Sequence, residues 1–485
     1  MPDAQPHIVS FVFNKVEGDS RVIRTAQAAL KAGYRATIVG VTSAPEPEEK
    51  TIDDVPVLLA PNPSKRLQKN GVWGPKIEAR EMGLLMGGLV QWTLPHVVRL
   101  NPDLLHSHDM FGLKLGAAVQ RDIALRGVKI PWVHDLHEFV AGLKGHASEA
   151  YMPTFLQYEQ EYLHKADHLI TVSEGISAEV SSRYGLKKPL QLIYNTPRYA
   201  EFSDSGPDIR STLKLSPAIN LVVFIGRATE LRGCHTIVDA VKHLPDVHLA
   251  FVSGGAYVED LVEKAKKAGF GDRVHLHPYV ASSEVTSFIR TANVGIHGMV
   301  HYPNGEVALP NKMFEYMHAG LPLAVSDVAG MKGFVERHEI GLSFEAENPQ
   351  SCAATIRKLL EHEQELKGKI TEELKQEYSW EKQEEKLRQA YSELLALTLD
   401  VTDAERRQGF LDQRLDQISF DAAYARAVSE ARSPVFSSLT SNMKKVLSSL
   451  ANLSEAAELA AWFPRRARGV ATKAKKMIGG KGRGN

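Results

Sequence analysis

Residues able to do chemistry gather in three short stretches of this chain. In IGRATELRG, Ile225 to Gly233, Arg227 and Arg232 stand close together, with Gly226 and Gly233 allowing near approach of backbone. Two guanidiniums there suit a diphosphate, because arginine donors match phosphate oxygens and stay charged. In ALPNKMFEYMHAGLPLAVSD, Ala308 to Asp327, Asn311, Lys312 and Glu315 open an otherwise apolar helix. The free amides of a helix start favour an anion such as phosphate, and Lys312 adds charge. Glu315, one turn further in, can accept two hydrogen bonds from a vicinal diol such as a ribose. The third group is HSHD (His106 to Asp109) with HDLHE (His134 to Glu138), histidines and acids in two strand-like segments.

Each group also has a plainer explanation. The arginines can pair with Glu230 and other surface acids. Lys312 and Glu315 can form an i,i+3 helix pair, with Met313, Phe314 and Met317 as ordinary core. The histidines can order loops through neighbouring carboxylates, or act as metal ligands of a hydrolase. The spacing argues against the metal: HSHDMF lacks the last histidine of an HxHxDH pattern, and HDLHE is not HExxH.

The elements that must position these residues follow from periodicity. HIVSFVF (His7 to Phe13), the amphipathic SRVIRTAQAALKAGY and RATIVGV predict one βαβ unit, with Val22, Ala26, Ala29 and Leu30 on a shared helix face. LLHSH, WVHDLH, HLITVS and QLIYN predict further strands of the same half, which ends near residue 205. After the polar SDSGPDIRSTLKLSP the pattern restarts with NLVVFIGR, HLAFVSGG, VHLHPYV, VGIHG and LPLAVSD. The predicted fold class is α/β: two facing Rossmann-like halves around a central cleft. Ligands of such open sheets bind outside the carboxyl ends of the strands, where all three groups fall. Around the second group, Asn311 is placed to cap its helix after Pro310, Gly320 suits a left-handed helix end, and Pro322 stops the helix before the next strand.

Composition sets the outer bounds. With 485 residues, 43% hydrophobic and 24% charged, the chain has length for two or three domains with large cores. Its 58 lysines and arginines balance 58 aspartates and glutamates, so overall charge selects no partner. Two cysteines, Cys234 and Cys352, make a disulfide framework improbable and point to a reducing compartment. The N-terminal residues lack the pattern of a signal peptide and no uncharged apolar run reaches the ~18 residues of a membrane span. The expected location is cytoplasmic.

GRATELRG followed by PNKMFEYMHAGLPLAVSD resembles the nucleotide-sugar half of family-4, retaining glycosyltransferases of the GT-B fold. The loop Asp19–Ser20–Arg21–Val22, the helix ending in Ala32–Gly33, HSHD, HDLHE and ITVSEGI resemble that family's acceptor half, and YSWEKQEEKLRQAYSELL its closing helix. The resemblance spans residues 7 to 397 and implies an acceptor domain at 1–205, a donor domain at 206–377, a closing helix at 378–397 and an extension at 398–485. It implies transfer of a sugar from a nucleotide diphosphate to a glycan or lipid-linked acceptor hydroxyl, with retention and without a cofactor or required metal, in cell-envelope or polysaccharide synthesis. Arg227 and Arg232 would bind the diphosphate, Glu315 the ribose, and Gly226, Asn311 and Lys312 the rest of the donor. His137 would touch the donor sugar or assist at the reacting centre, with Glu138 orienting it or the acceptor. Asp19, Arg21, His108 and Asp109 would face the acceptor. The family's usual motif carries a glutamate eight residues before Glu315, where this chain has Val307; Asn311 with Lys312, or Glu306 one position off, are the candidate replacements.

Outside that core, GLLMGGLVQWTLPHVVRL (Gly83 to Leu100), preceded by Lys65, Arg66, Lys69 and Lys76, is either a core helix or a membrane-touching face. Helical periodicity in MKKVLSSLANLSEAAELAAWF is followed by a tail; Ala461 to Asn485 holds eight basic residues and no acid. Trp462 and Phe463 ahead of this charge suit an anionic bilayer surface, and the tail lacks the aromatic interleaving expected of nucleic-acid binding. Two other functions share the architecture: a nucleotide-sugar 2-epimerase, which needs no acceptor, and a non-catalytic scaffold subunit.

Overall fold

The computed structural model describes residues 5–62, 79–397 and 399–430. The basic residues Lys65, Arg66, Lys69 and Lys76, the segment MKKVLSSLANLSEAAELAAWF and the basic tail lie outside the described residues. The chain divides into two compact units, Met1–Lys65 with Lys76–Gln413 and Arg66–Pro75 with Arg414–Asn485. In the second unit, 414–430 form the end of the helix Asp403–Glu430.

Two sheets build the first unit. The first contains β1 (His7–Phe11), β2 (Arg35–Thr42), β3 (Glu48–Ile52), β4 (Val55–Pro61), β5 (Leu104–His108), β6 (Trp132–Leu136), β7 (His168–Thr171) and β8 (Gln191–Leu192) in the order β3-β4-β2-β1-β5-β6-β7-β8. The second contains β9 (Asn220–Ile225), β10 (Val247–Val252), β11 (Val274–His277), β12 (Val294–His297), β13 (Leu323–Ser326) and β14 (Gly341–Phe344) in the order β11-β10-β9-β12-β13-β14. Every pairing is parallel except that of β3 with β4. The strand order reverses direction between β1 and β5 in one sheet and between β9 and β12 in the other. Diverging connections leave a crevice at such switch points, and the residues singled out from the sequence sit beside these two.

The strands are buried on both faces, as parallel strands covered by helices must be: β1, β5 and β6 have no exposed position. The helix Ala79–Arg99 explains the apolar run from Gly83, because Met86, Leu89, Val90, Leu94, Val97 and Val98 are buried in the first half's core. No helix among the described residues is long and apolar enough to cross a membrane. The helix Trp380–Leu395 starts in the second half's sequence but buries Trp380, Leu387, Tyr391 and Leu394 with Ile8, Val22 and Ala26 of the first. Side chains of that size contribute roughly 1.5–3 kcal/mol each when fully buried.

Candidate functional site in the cleft

After β9 the chain turns at Gly226, whose φ of 78° is left-handed, and exposes Arg227. Arg232 donates from Nη1 to the carbonyl oxygen of Arg227 at 2.6 Å, so it braces its own loop rather than pairing with Glu230. At Gly233 a Cβ would lie 1.7 Å from the carbonyl oxygen of Gly298, so only glycine lets this loop rest against the loop after β12.

Lys312 points into the same corner. It is 5% exposed, its Nζ has no hydrogen-bond partner, and it lies 4.2 Å from the centre of the Phe224 ring. A Cβ on Gly226 would be 3.6 Å from this Nζ, which puts the ammonium under the turn. Burial, followed by the like charge of Arg232, lowers its pKa to about 7. The expected Lys312–Glu315 helix pair is therefore not formed as a contact. Glu315 is partly buried, and burial raises its carboxyl against the pull of Lys312 and of Arg24 from the first half. Asn311 does not cap: Pro310 holds the cap position without a side-chain bond, and Asn311 is the exposed first residue of the helix Asn311–His318. Gly320 does adopt the left-handed conformation, at φ 72°. The corner is thus a set of three cations, none of them in an ion pair with an acid among the described residues and one, Lys312, buried, a charge distribution that calls for an anion.

In the first half, the centre is the aspartate of HDLHE. Asp135, 1% exposed, accepts from Arg21 Nε and Nη2, both at 2.8 Å, and Arg21 also donates to the carbonyl oxygen of Ile193 at 2.8 Å. Around its Oδ2 stand His108 Nδ1 at 3.4 Å, His137 Nε2 at 3.6 Å and His106 Nε2 at 4.0 Å. His106 Nδ1 meets the Tyr391 hydroxyl at 2.7 Å, and His134 Nδ1 meets Ser107 Oγ at 2.7 Å. Burial opposes ionisation of Asp135, but Arg21 and then His137 hold its carboxyl well below the usual range. Burial keeps His106 and His108 neutral and brings His134 down to about 3. For His137 burial is outweighed by the Asp135 carboxylate, and its pKa rises.

His106, His108 and Asp135 have nitrogen and oxygen atoms within 4.8 Å of one another, the grouping that the histidine motifs raised. Arg21 already places a fixed cation on both Asp135 oxygens, so the cluster is an ion-paired network in its own right. This overturns part of the acceptor-side expectation. Arg21 is 4% exposed and turned into Asp135, and His108 is fully buried. Asp19 caps the helix Ser20–Lys31 through Val22 N and accepts from Asn14 at 2.7 Å. Asp109 remains at the opening, with φ of 63° and its Oδ1 taking the amide of Met110 at 2.6 Å. Holding a non-glycine there costs about 1–3 kcal/mol, which surrounding structure must offset. Glu138 reaches water in the cleft, yet crowding around it and the charge of Asp109 push its carboxyl up to about 7, against His137 and Arg232.

Val307 and Glu306 belong to the seam between the halves. The short helix Pro303–Val307 docks on the first half: Asn304 Oδ1 accepts from Phe139 N at 2.8 Å and the Val307 carbonyl from Ser173 Oγ at 2.7 Å. A Cβ on Gly175 would come within 2.9 Å of the backbone of Val307, so the approach is at van der Waals limit. Arg337 and Glu174 add a two-pronged ion pair across the seam at 3.0 and 3.1 Å. A pocket of about 270 Å³ lies there, lined by Glu174, Tyr194, Val307 and Phe334 among others, but by neither Arg232 nor Lys312. Glu306 also lines this pocket, its carboxylate meeting His301 Nδ1 at 2.5 Å and accepting from Ala329 N at 2.9 Å.

Comparison with known proteins finds matches in both halves. A family model described as Glycosyltransferase Family 4 matches residues 19–196, and one described as Glycosyl transferases group 1 matches residues 207–377. An uncharacterized glycosyltransferase of Methanocaldococcus jannaschii is 22% identical over 58% of this chain and 72% of its own length. A D-inositol 3-phosphate glycosyltransferase of Mycolicibacterium gilvum is 24% identical over 63% of this chain and 70% of its own. Among solved structures, sucrose-phosphate synthase from Thermosynechococcus elongatus superposes with a TM-score of 0.66 at 18% identity, covering 81% of this chain and all of the other. Anabaena HepE in complex with UDP-glucose superposes with a TM-score of 0.60 at 17% identity, covering 80% and 99%.

Proposed function

The chain belongs to the family-4 glycosyltransferases of the GT-B fold, and on that premise we propose that it moves a sugar from a nucleotide diphosphate donor to an acceptor hydroxyl with retention, and without a required metal. The observation that carries this reading is the buried, unpartnered ammonium of Lys312 beneath the Gly226 turn, beside Arg232. A departing nucleotide diphosphate gains negative charge as the glycosidic bond breaks. Cations fixed before the reaction stabilise that charge without reorganising, which lowers the barrier more than it strengthens ground-state binding. Arg227 and Arg232 bind the diphosphate from the loop, Lys312 from the helix start, and Glu315 takes the ribose. His137 and Glu138 face the sugar from the other side of the cleft, and the leaving phosphate helps take the acceptor proton. The solved complex of HepE with UDP-glucose supports a nucleotide-sugar donor. A lipopolysaccharide core biosynthesis glycosyltransferase of Rhizobium meliloti among the relatives supports a glycan or glycolipid acceptor of the cell envelope. The protein then works at the cytoplasmic membrane face, held there by its basic tail.

The test is a thermal-shift screen over UDP-, GDP- and ADP-sugars. A donor at a hundred times its Kd stabilises the native state by about 2.7 kcal/mol, enough to see. One donor class is expected to raise Tm in the native chain and to lose that effect in Arg232→Ala. Absence of a shift with every donor would overturn the reading.

A further inference from the structure

We propose that Asp135 is a positioning residue for His137, fixing its imidazole through Nε2 and holding it as a cation whose other edge is presented to the cleft. The geometry begins with Arg21, whose two nitrogens at 2.8 Å leave the Asp135 carboxylate no freedom to rotate. The Nε2 of His137 is buried, makes no hydrogen bond, and stands at ion-pair distance, 3.6 Å, from Oδ2, while the ring as a whole keeps 21% of its surface. One nitrogen therefore belongs to the network and the other is left for a ligand. His108 packs edge-on against the ring at 5.6 Å and, being neutral and fully buried, adds no competing charge. His106 closes the far side of Asp135, itself pinned by Tyr391 of the helix Trp380–Leu395.

Charged and titratable groups facing His137 come from five elements. Asp135 and neutral His134 lie on β6, just ahead of it, and Arg21 on the first helix. His108 ends β5, Asp109 opens the helix Asp109–Ala124, and Glu138 follows in the loop. Asp135 and Asp109 favour the imidazolium, Arg21 opposes it, and the balance is for the cation. A ring so held offers an N–H to an oxygen of a bound sugar or departing phosphate, and needs no proton transfer before substrate arrives. The inference on the ring's charge stands on the empty protein; its use in catalysis rests on the function proposed above.

The decisive measurement is the NMR titration of the full chain, with His137→Gln to assign the signal. In the native protein His137 is expected to titrate above the ordinary histidine value of about 6.5, and in Asp135→Asn at least about one unit lower than in the native protein. A native His137 that titrates at or below the ordinary value would overturn the proposal without any variant. So would an Asp135→Asn protein that folds and titrates unchanged. If a donor is found by the thermal-shift screen, the high-pH loss of kcat is expected to move to lower pH in Asp135→Asn while KM for the donor stays within about threefold. A merely structural Asp135 would lower the amount of active enzyme and leave the position of the limb where it was. Failure of every donor with a shifted His137 would remove the glycosyl-transfer reading and leave this one intact.

Discussion

Both halves of the unit place charged side chains at the carboxyl ends of parallel strands, yet they settle the charge in opposite ways. In the first half Asp135 and Arg21 are 1% and 4% exposed and satisfy one another, with three histidines gathered around the pair. In the second half Arg232 hydrogen-bonds only a carbonyl oxygen, Lys312 Nζ has nothing, and the nearby acid Glu315 makes no ion pair with it. A self-satisfied buried pair needs no ligand and fixes geometry. An unsatisfied cation is destabilising until an anion arrives, and that deficit is what a binding site looks like before binding. The first half is thus built to hold a proton in place and the second to receive a diphosphate.

The sharpest way to break this contrast is to unbalance the side that is balanced. Arg21→Met strips the buried Asp135 of its two-pronged partner and leaves only the histidine contacts, and is expected to cost about 3–5 kcal/mol of unfolding free energy by chemical denaturation. Arg21→Met with Asp135→Leu is expected to recover most of it, because removing both charges removes the debt of desolvation. On the unsatisfied side the ranking reverses. Arg232→Ala is expected to leave unfolding free energy within about 0.5 kcal/mol but to weaken nucleotide diphosphate binding roughly 10- to 100-fold, read by calorimetry. Loss of stability without loss of affinity in Arg232→Ala would show that the loop, not the ligand, uses this guanidinium.

The seam gives a smaller effect that joins the two sides. Gly175→Ala sets a methyl 2.9 Å from the Val307 backbone, and neither element can yield without parting the halves. Faster amide exchange across Pro303–Val307 is expected, with a free-energy change of about 1–3 kcal/mol confined to that segment. Unchanged exchange there would mean that the docked helix does not hold the halves together.

Legibility followed range along the chain. Eleven of the strands announced themselves as apolar runs, because burial on both faces leaves a continuous local signal. β3, EEKTI, did not: it is a charged edge strand, joined to β4 by Asp53 and Asp54 with φ of 47° and 65°, a tight turn made without glycine. β14, GLSF, opens on glycine and alternates an apolar with a polar residue over four positions, and β4, VPVLLAP, carries two prolines; neither reads as a strand. Sites were legible as positions but not as partners. Arg227, Arg232 and Lys312 could be placed at strand and helix ends from local pattern. That Arg21 meets Asp135, 114 residues away, is a tertiary fact with no local trace, so Arg21 was expected to face an acceptor. Arg24 was missed for the same reason: it is buried, donates to the Thr196 carbonyl at 2.7 Å, and lends its charge to Glu315. Glu306 was one residue from the expected register, and only the structure gives its carboxylate to His301 and the Ala329 amide.

The subtlest prediction concerns Lys312, where the contrast between the halves becomes a proton count. In the empty protein its pKa is near 7, lowered by burial and by Arg232, so about one unit higher in pH the side chain is mostly neutral. A bound diphosphate reverses both causes at once, since its oxygens replace lost water and its charge offsets the guanidinium. The amine must then take up close to one proton as the ligand enters, roughly 0.9 at that pH. Calorimetry in two buffers of different ionisation enthalpy reads this uptake directly from the difference in apparent binding enthalpy. The same linkage carries a sign for stability: a lysine depressed in the folded state holds fewer protons than in the unfolded chain, so stability of the empty protein rises with pH above about 7. Lys312→Met is expected to abolish both the uptake and that slope. Should the uptake persist in Lys312→Met, the titrating group lies elsewhere in the cleft, and Glu138, also near 7, is the next to remove.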